Sequence, residues 1–537
     1  MAAANPFDGL GLGLAPVRSA VPAWRARIEA DRLRQACIAL AARDGRLVAL
    51  WGSDERDRDA GFALHLTVAV DGAMLWLTVP LPVAAPHYPD LSDIFLCAVR
   101  MQRATHDLLG IRSSAADPIA DDPIADDPIA DDPIADDQRP WLRHAAWPKD
   151  VFPLRRDFPL SRVYANGLDD YAFVAVAGDG VHEIPVGPVH AGTIEPGHFR
   201  FSIVGEKVLR LEERLGYKHK AIDKLFEGRD LLSGSRLAGR VSGDSTVAFA
   251  WAYAMAVEGV ARIEAPPRAL WLRALALERE RIANHLGDLG YLGNDGGLAF
   301  GLAQFMRLKE DVLRLNAEVF GHRYLMDYVV PGGVARNAGR HGCDQLAEQC
   351  DALEREVQIL KDIYDDHAGL QDRFLTCGRL APELAKRLGV LGLAARASGQ
   401  AIDLRAQPAF EPYDRLGVEP HVHEEGDVAA RVTVRFEELF ESLRLARMIA
   451  ADLPLGEIAA PFETLAGPAR GLGRVEGWRG EAMIALEAEG GVIRRCHAHD
   501  PSWQNWPALE HAIIGNIVPD FPLINKSFNL SYAGQDL

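Results

Sequence analysis

The stretch "RVSGDSTVAFAWAYAMAVEGV", residues 240–260, joins a polar turn to a long apolar segment, and it decides how the rest of the chain is interpreted. The apolar half predicts a helix with no polar face, which is therefore buried. The polar half places Ser242 and Ser245 three residues apart, behind Arg240. Serine often caps a helix N-terminus, so a plain cap is one interpretation. With cysteine at both positions the stretch would be R-x-C-G-x-C, a spacing at which two thiolates can hold a metal.

The composition is that of a large globular protein with a moderate excess of negative charge. A chain of 537 residues predicts two or three domains. The formal net charge of -18 argues against nucleic acid or an anionic lipid surface as the main partner. The N-terminus shows no basic region followed by an apolar one, so no secretory signal is visible, and residues 246–257 are too short to span a bilayer.

The six cysteines are scattered, without a C-x-x-C pair. This distribution is typical of reduced thiols in a cytosolic protein and provides no metal knuckle. Cys343 and Cys350 are seven residues apart and could face one another on a helix, where two packed thiols are the plainer interpretation.

The N-terminal part predicts an α+β domain. Residues 22–43 and 91–111 carry apolar positions at helical spacing. Residues 46–53 are strand-like, and residues 62–82 predict two strands joined at Asp71-Gly72, a strong hairpin signal.

Four tandem copies of D-P-I-A-D occupy residues 117–136. A proline at every fifth position excludes a continuous helix, and the aspartates repel one another. The tract lacks the glycine turn and the ligand spacing of a calcium loop. It predicts a disordered surface insertion without chemistry of its own.

The remainder of the sequence predicts a helical bundle with small sheets at both ends. Strand segments broken by Gly-Pro and Pro-Gly turns occupy residues 182–215, and a strand pair is expected at residues 482–499 around Gly490-Gly491. Helices are predicted between these sheets at 218–228, 244–262, 267–290, 300–325, 342–366 and 426–451.

Several motifs together resemble a known family. "YPDLSDIFLCAVRMQRATHDLLGI" and "WPKDVFPLRRDFP" resemble the C-type subunit of respiratory NADH:quinone oxidoreductase (complex I), which carries a long loop where the D-P-I-A-D tract stands here. Later motifs resemble the D-type subunit and, equally, the large subunit of membrane-bound nickel-iron hydrogenases of the formate hydrogenlyase type. These motifs are "GPVHAGTIEPGHFRF", "YKHKAIDKLFEGR", "ERERIANHLGDLGYL", "PGGV", "RASGQAIDLR", "GDVAARVTVR" and "GRVEGWRGE". In that hydrogenase group both parts are fused in one chain, as they are here.

The resemblance implies an α+β fold with two principal domains. Residues 1–165 would form a complex I C-type-like α+β domain, with residues 112–140 as its acidic, disordered loop. Residues 166–184 would be a connection. Residues 185–537 would form a hydrogenase-large-subunit-like helical bundle with small flanking β-sheets.

In the hydrogenases that the chain resembles, two C-x-x-C pairs bind nickel and iron. The first pair falls on Ser242 and Ser245, and the second falls on Ser531 and Gly534 in "DFPLINKSFNLSYAGQDL", with Asn529 at a family aspartate position. A neutral hydroxyl is a hard, weak ligand for metals that favour thiolate. We therefore expect no metal and no nickel-iron centre in this chain.

In complex I the same cavity binds a quinone head group between a tyrosine and a histidine that is backed by an aspartate. The histidine position falls on His198 and the aspartate position on Asp295, whereas the tyrosine position falls on Gly243. The resemblance implies catalytic roles for His198, Asp295 and the nearby Glu195, which could relay protons in the cavity. Taken alone, these residues are more simply explained as a histidine bonded to a carbonyl, a turn aspartate and a solvated loop carboxylate.

Three arginines are the expected cofactor-facing residues. In both relatives an arginine at the position of Arg240 lies near the terminal iron–sulfur cluster of the adjoining subunit, where a fixed cation raises the cluster's potential. Arg396 and Arg405 in "RASGQAIDLR" are expected to face the cavity or the partner subunit. The structural alternatives are a surface salt bridge for Arg240 and an ion pair with Asp403 for the other two.

The chain carries no P-loop, no dinucleotide glycine fingerprint and no cluster-binding cysteines. We therefore expect no cofactor bound by this chain, an iron–sulfur cluster in a B-type or hydrogenase-small-type partner subunit, and quinone as the candidate acceptor. Membrane antiporter-like subunits would attach it from the cytoplasm to the inner face of the cell membrane, with neither a direct membrane span nor nucleic acid involved. Three hypotheses remain: a peripheral-arm oxidoreductase subunit, a non-catalytic structural coupling subunit, and a true hydrogenase, which the absent sulfurs disfavour.

Overall fold

The computed structural model describes residues 5–114, 137–144, 146–159, 161–164, 167, 171–191, 194–463 and 466–537. The D-P-I-A-D tract lies outside these residues. The fold is mixed α and β, with helices and several small sheets, as the sequence predicts. None of the helices in the described ranges is long and apolar enough to cross a bilayer.

A five-stranded sheet in the order β1-β2-β5-β4-β3 forms the centre of the N-terminal part. The β4–β5 hairpin turns at Asp71-Gly72, as predicted, and β2 runs parallel to β5. Strands β6 and β7 form a separate parallel pair, and helices α1 and α2 complete this part. The elements are β1 (Ala15–Pro16), β2 (Ala23–Arg27), α1 (Ala30–Ala41), β3 (Arg46–Asp54), β4 (Phe62–Val70), β5 (Ala73–Leu81), β6 (His87–Pro89), α2 (Ala98–Leu109) and β7 (Arg112–Ser114).

Two helix predictions in this part are too long. Residues 22–43 contain the strand β2 before the helix, because residues 23–27 pair with β5 and only the later apolar positions form a helical stripe. Residues 91–97 form turns rather than the start of α2. Asp90 fixes these turns by accepting hydrogen bonds from the Ser92 hydroxyl and from Gln102 Nε2 (2.6 Å).

The second part begins with the sheet β10-β9-β8 and ends with the sheet β13-β14-β15, and long helices lie between them. Helix α6 packs against α7 and α12, and α12 packs against α8. The elements to the middle of the bundle are β8 (Val181–Val186), β9 (His198–Val204), β10 (Lys207–Arg214), α3 (Ile222–Phe226), α4 (Gly234–Ala238), α5 (Thr246–Ala261), α6 (Pro267–Asp295), α7 (Ala299–Phe320), β11 (Val329–Val330) and β12 (Gly333–Val334). The remaining ones are α8 (Gly339–Asp366), α9 (Ala368–Phe374), α10 (Pro382–Leu388), α11 (Gly392–Arg396), α12 (Val428–Asp452), β13 (Ala469–Gly477), β14 (Gly480–Glu489), β15 (Val492–His499), α13 (Ser502–Ala512), α14 (Phe521–Phe528) and α15 (Tyr532–Asp536).

Helix α5 is buried on all sides, as its sequence predicts. Its only charged residue, Glu258, accepts hydrogen bonds from Arg273 (2.5 Å to Nη2) and from the backbone N–H of Gly332 (2.8 Å). Strand β13 packs directly on α5 because it has glycines at the contact. A Cβ atom at Gly471 would lie 1.9 Å from the carbonyl oxygen of Ala256, so only glycine allows this approach.

Helix α7 ends at Phe320, five residues before its predicted end, because Gly321 adopts the left-handed conformation (φ +92°) that terminates helices. Only residues 222–226 of the predicted helix 218–228 are helical. Strand β13 was not predicted, because its glycine-rich sequence "ARGLGRVEG" lacks the apolar alternation of a typical strand.

Candidate functional site

The serine-containing turn that precedes α5 and the C-terminal segment meet at one cavity, although they lie almost 300 residues apart in the sequence. The cavity has a volume of about 330 Å³. The turn before α5, the loop around residue 195, the tip of the β13–β14 hairpin and the segment 525–533 form its walls. Its lining residues are Ile194, Glu195, Ser242, Gly243, Asp244, Arg479, Asn525, Lys526, Asn529, Leu530, Ser531, Tyr532 and Ala533. We call this space the site cavity.

A chain of hydroxyl hydrogen bonds crosses the site cavity. The Oγ atoms of Ser242 and Ser531 are 2.8 Å apart. The Ser242 hydroxyl donates to Asp244 Oδ1 (2.8 Å), and Ser531 Oγ accepts from the backbone N–H of Gly534 (2.9 Å), which caps α15. Because Ser242 uses its proton toward Asp244, Ser531 is the donor in the bond between the two serines.

Arg479 lies where these groups converge. Its guanidinium donates to both carboxylate oxygens of Asp244, at 2.8 and 2.6 Å, and to the carbonyl oxygen of Asn529 (2.5 Å). It also donates a long hydrogen bond to Ser245 Oγ (3.4 Å). Burial alone would raise the pKa of Asp244, but Arg479 and the Ser242 hydroxyl hold that pKa below its usual value.

Two neighbouring acids extend this polar cluster beneath the cavity. Asn529 donates to Asp288 (2.6 Å), whose other oxygen accepts from Arg435 Nε (3.0 Å). Glu280 accepts from the backbone N–H of Val247 (2.7 Å) at the start of α5, and burial raises its pKa to about 8. The site therefore combines an ionised carboxylate, Asp244, with a carboxyl group that is protonated near neutral pH.

The residues at the four metal-ligand positions do not fit a nickel-iron centre. Ser242, Ser245 and Ser531 offer hydroxyls that already bond to one another, to Asp244 or to Arg479, and Gly534 offers no side chain. A Cβ atom at Gly534 would lie 2.3 Å from Oδ2 of Asp500, so a cysteine there requires Asp500 to shift. Within the described residues, no group of three or more histidines, cysteines or carboxylates is placed to hold a metal ion.

Of the three residues expected to be catalytic, Glu195 is the one that lines the site cavity. Its Oε2 accepts from the backbone N–H of Ala533 (3.0 Å), and its Oε1 is 3.7 Å from Lys218 Nζ. Gly243 stands at the position where the resemblance to complex I implies a tyrosine. A Cβ atom added there would meet open space, because its nearest neighbour is Met326 Cε at 3.9 Å.

In the described structure neither a hydrogen bond nor an ion pair joins His198 to Asp295, and neither residue lines the site cavity. His198 Nδ1 is 3.3 Å from the carbonyl oxygen of Gly187, and Arg200 Nε lies 3.4 Å from Nε2. His198 lines a separate cleft with Tyr171, and burial lowers its pKa. Asp295 ends α6 and contacts the neighbouring Asn294 (3.5 Å).

Arg240 forms a surface ion pair, which is the structural alternative to the expected position near an iron–sulfur cluster. Its Nη2 donates to Asp327 Oδ2 at 2.9 Å, and 41% of its side chain is exposed. Arg240 is not among the residues that line the site cavity, and its side chain is accessible from outside the protein.

Arg396 and Arg405, which were expected to face the cavity or the partner subunit, are not among the residues that line the site cavity. Each is buried in a network of charges inside the bundle. Arg396 donates to Glu438 (2.6 Å) and to Glu476 (2.9 Å). Arg405 donates to both oxygens of Asp403 (3.1 and 2.7 Å), the ion pair that the sequence offered as the alternative. Both guanidinium groups are thus bonded to internal partners, although Nη2 of Arg396 has no hydrogen-bond partner among the described residues.

Sequence reasoning did not single out Arg479, Asp244, Asp288 or Glu280. Asp244 lies between the two serines of the opening motif, and Arg479 lies in "GRVEGWRGE", so both were within quoted motifs. The signal that could have found them is charge complementarity, because a carboxylate beside the first serine pair requires a cation from another segment.

The comparisons with known proteins agree with this architecture. Residues 26–119 match the family described as respiratory-chain NADH dehydrogenase, 30 Kd subunit, and residues 295–472 match the 49 Kd subunit of the same enzyme. Formate hydrogenlyase subunit 5 of Escherichia coli (strain K12) is 30% identical over 501 residues, which cover 92% of this chain and 85% of that protein. The carbon monoxide-induced hydrogenase of Rhodospirillum rubrum is 32% identical over 352 residues, which cover 65% of this chain and 97% of that protein.

A solved structure of the membrane-bound sulfane sulfur reductase, an archaeal respiratory membrane complex, contains a chain with the same fold. The TM-score is 0.63 at 24% identity, and the match covers 68% of this chain and 100% of that one. The chain described here therefore belongs to the family of fused 30 Kd- and 49 Kd-type complex I subunits that includes formate hydrogenlyase subunit 5.

Proposed function

We propose that this chain is the peripheral-arm subunit of a membrane-associated, complex I-like oxidoreductase related to energy-converting hydrogenases. It receives electrons from an iron–sulfur cluster in a partner subunit and passes them to a small acceptor in the site cavity. Antiporter-like membrane subunits hold it at the inner face of the cell membrane and couple the reaction to ion translocation.

The observation that carries this proposal is the site cavity itself. The loop around Glu195, the turn before α5 and the segment 525–533 still converge on a space of about 330 Å³, although the ligand positions carry hydroxyls and a glycine. A cavity of this size accommodates a small organic molecule or a quinone head group. A protein that only transmitted movement would need no such space.

Quinone is the acceptor that we propose to test first. The site differs from the complex I arrangement, because Gly243 replaces the tyrosine donor and His198 lies in another cleft. A donor remains on Lys526, which lies on the cavity wall. Its ammonium group can donate a hydrogen bond to a carbonyl oxygen of the acceptor.

The experiment fills the cavity and leaves the rest of the complex unchanged. In the purified complex, Gly243→Phe inserts a ring into open space, whereas Gly467→Phe makes the same change at a glycine with no neighbour within 4 Å. We expect Gly243→Phe alone to abolish the reduction of a soluble quinone by the reduced complex, while both variants assemble. The proposal fails if Gly243→Phe assembles and turns over like the wild type.

The second candidate is a non-catalytic coupling subunit, and one observation favours it. The Ser242–Ser531 bond and the Asp244–Arg479 pair fasten opposite walls of the cavity to one another. Such cross-links suit a subunit that transmits movement. The Gly243→Phe variant separates the two functions, because a subunit that only transmits movement tolerates a filled cavity: unchanged turnover with intact assembly supports the coupler.

A further inference from the structure

A large cleft lies between the N-terminal part of the chain and the second part, and it shares no lining residue with the site cavity. Its volume is about 840 Å³, within the range of about 300–1,000 Å³ that is usual for small-molecule sites. One wall belongs to the end of α1, the start of β3 and the β4–β5 turn. The other wall belongs to α10, residues 400–408 and β13. We call this space the seam cleft.

The two walls of the seam cleft contact one another directly. A Cβ atom added to Gly72 would lie 2.7 Å from Cδ of Pro408, so the backbone of the β4–β5 turn rests on the opposite wall. At a second point, a Cβ atom added to Gly389 would lie 4.0 Å from the sulfur of Cys97. All four residues line the cleft, so these contacts fix the distance between its walls. Ligand sites are usually preformed in this way.

Apolar side chains from both walls line the cleft. They include Ile94 from the N-terminal part, and Ile402 and Pro408 from the second part. Lys386 and Asp44 also line it and form an ion pair at 3.2 Å, and because both are largely exposed, the cleft opens to solvent. An apolar lining with a few polar groups is typical of sites for organic molecules.

Two arginines of the lining give the cleft a positive charge. Arg46 and Arg474 both form ion pairs with one buried carboxylate, Glu481, which lies 3.4 Å from Nη1 of Arg474. The other bonds of Arg474 among the described residues go to uncharged acceptors, the carbonyl oxygen of Gly72 (2.8 Å) and the sulfur of Met74 (3.0 Å). Two cations against one carboxylate leave one formal positive charge.

The charges at the rim of the cleft do not cancel this one. Lys386 and Asp44 neutralise each other in their ion pair. Arg387 and Asp71 add one charge of each sign to the lining. The cleft therefore keeps the single positive charge of its arginine pair.

The surroundings of Arg474 agree with an excess of positive charge. Burial and the nearby Arg46 lower the pKa of Arg474, and the opposing effect of Glu481 and Glu476 does not restore it. Glu476 is itself bonded to Arg396 at 2.9 Å. A buried cation without full compensation is costly, and a bound anion reduces that cost.

Arg46 is the arginine that can contact a ligand, because 15% of its side chain is exposed, against 1% for Arg474. A guanidinium group binds a carboxylate through two parallel hydrogen bonds. Arg474 would then act on the ligand through its charge.

We propose that the seam cleft binds an amphiphilic monocarboxylate, whose carboxylate pairs with Arg46 and whose apolar part packs against Ile94 and Ile402. The single excess charge matches one carboxylate, and the apolar walls match a hydrocarbon or aromatic body. This site is independent of the proposed function, because it requires no acceptor in the site cavity.

The experiment measures the binding of sodium octanoate to the purified complex by isothermal titration calorimetry. Octan-1-ol serves as a neutral probe of the same length, and inorganic phosphate serves as an anion without an apolar part. Arg46→Gln removes the charge and keeps a donor for Glu481. Arg470→Gln is the matched control, because Arg470 also pairs with a buried glutamate, Glu487 (2.9 Å), but does not line the cleft.

A second pair of variants tests the location without changing the buried charges. Ala401→Trp places a large ring in the cleft at an exposed lining position. Ala335→Trp makes the same change at an exposed alanine outside the cleft. Because both positions are exposed, we expect both variants to fold.

We expect octanoate to bind saturably, and octan-1-ol and phosphate to bind at least about tenfold more weakly. Arg46→Gln should weaken octanoate binding by about tenfold or more, and Ala401→Trp should abolish it, whereas both controls should match the wild type. The proposal is overturned if octanoate does not bind, if either other probe binds as tightly, or if Ala401→Trp binds like the wild type. An unchanged affinity in folded Arg46→Gln would also overturn it. None of these results depends on turnover, so they remain distinguishable from a failure of the proposed function.

Discussion

The hydroxyl oxygens of Ser242 and Ser531 lie 2.8 Å apart, although the two residues are separated by 289 positions in the sequence. This hydrogen bond joins the turn before α5 to the C-terminal segment, at two of the four positions where the sequence resemblance implies metal-binding cysteines. The bond therefore fastens the turn before α5 directly to the C-terminal segment.

The first prediction concerns the strength of this bond. Ser531→Ala loses both the Ser242 contact and the cap on Gly534 N–H, whereas Ser242→Ala loses its contacts to Ser531 and Asp244. We expect each change to lower the free energy of unfolding by about 1–2 kcal/mol. A double-mutant cycle measured by denaturant unfolding should give a coupling of about 0.5–1.5 kcal/mol. Purely additive effects would contradict the bond.

The second prediction is that cysteines placed at the four ligand positions do not make the chain bind nickel. In a variant with cysteine at all four ligand positions, the new side chain at position 534 would collide with Asp500, and the Arg479 guanidinium would remain beside position 245. We expect substoichiometric nickel by elemental analysis. Gly534→Ala alone should lower the free energy of unfolding by about 1–3 kcal/mol, because the added Cβ atom clashes with Asp500, and should therefore lower the thermal midpoint. Gly243→Ala should leave the midpoint unchanged, because its added Cβ atom meets open space. Stoichiometric nickel in the fourfold variant would show that the pocket adapts.

The third prediction concerns the pH dependence of stability at Glu280. Burial raises the pKa of this carboxyl from 4.5 to about 8. Between these values the folded protein binds a proton that the unfolded chain has released, so stability falls as pH rises, by about 1.4 kcal/mol per unit. Glu280→Gln cannot ionise and keeps an acceptor for Val247 N–H. We expect it to raise the thermal midpoint at pH 8 relative to the wild type, and to change it little at pH 4.5. Parallel pH profiles would show that Glu280 is ionised in the fold.

The fourth prediction compares two candidate proton groups. Glu195 lines the site cavity, whereas His198 lies in a separate cleft. We expect Glu195→Gln to lower turnover of the purified complex by about a hundredfold, because general acid–base groups contribute on this order. His198→Ala should affect stability alone, since burial lowers the pKa of this histidine and keeps it neutral near pH 7. A flattened activity profile in the range of histidine titration would restore the role that the resemblance implies for His198.

The fifth prediction concerns the D-P-I-A-D tract. Gln138 Nε2 donates to Ser113 Oγ at 3.0 Å, so the chain segments that flank the tract are already adjacent. We expect deletion of residues 117–136 to leave expression and complex assembly nearly unchanged, because a short connection can join these segments. A loss of expression on deletion would show that the tract packs against another part of the complex.

The features that could be predicted from the sequence are those with a local cause. The burial of α5 follows from its uninterrupted apolar sequence, and the β4–β5 hairpin follows from Asp71-Gly72. The convergence of Ser242 with Ser531 was inferred from matched motifs, because no local pattern links segments so far apart.

The remaining features depend on long-range pairing. Arg396 and Arg405 were expected to face the cavity or the partner subunit, whereas each is buried and bonded to an acid of a distant helix, Glu438 for Arg396 and Glu278 for Arg405. The Asp244–Arg479 pair was missed for the same reason, since 235 positions separate its members. Strand β13 escaped prediction because its glycines serve the packing on α5 rather than the alternation of a strand.

The glycine contact between β13 and α5 has a mechanical consequence. Gly471 and Gly473 allow backbone to rest on backbone along this contact, and the Asp244–Arg479 pair joins the same two elements at the rim of the site cavity. We therefore expect strand and helix to move together as one rigid unit. A displacement of the cavity wall at Arg479 would then reach Glu258 near the C-terminal end of α5, which is bonded to Arg273 of α6.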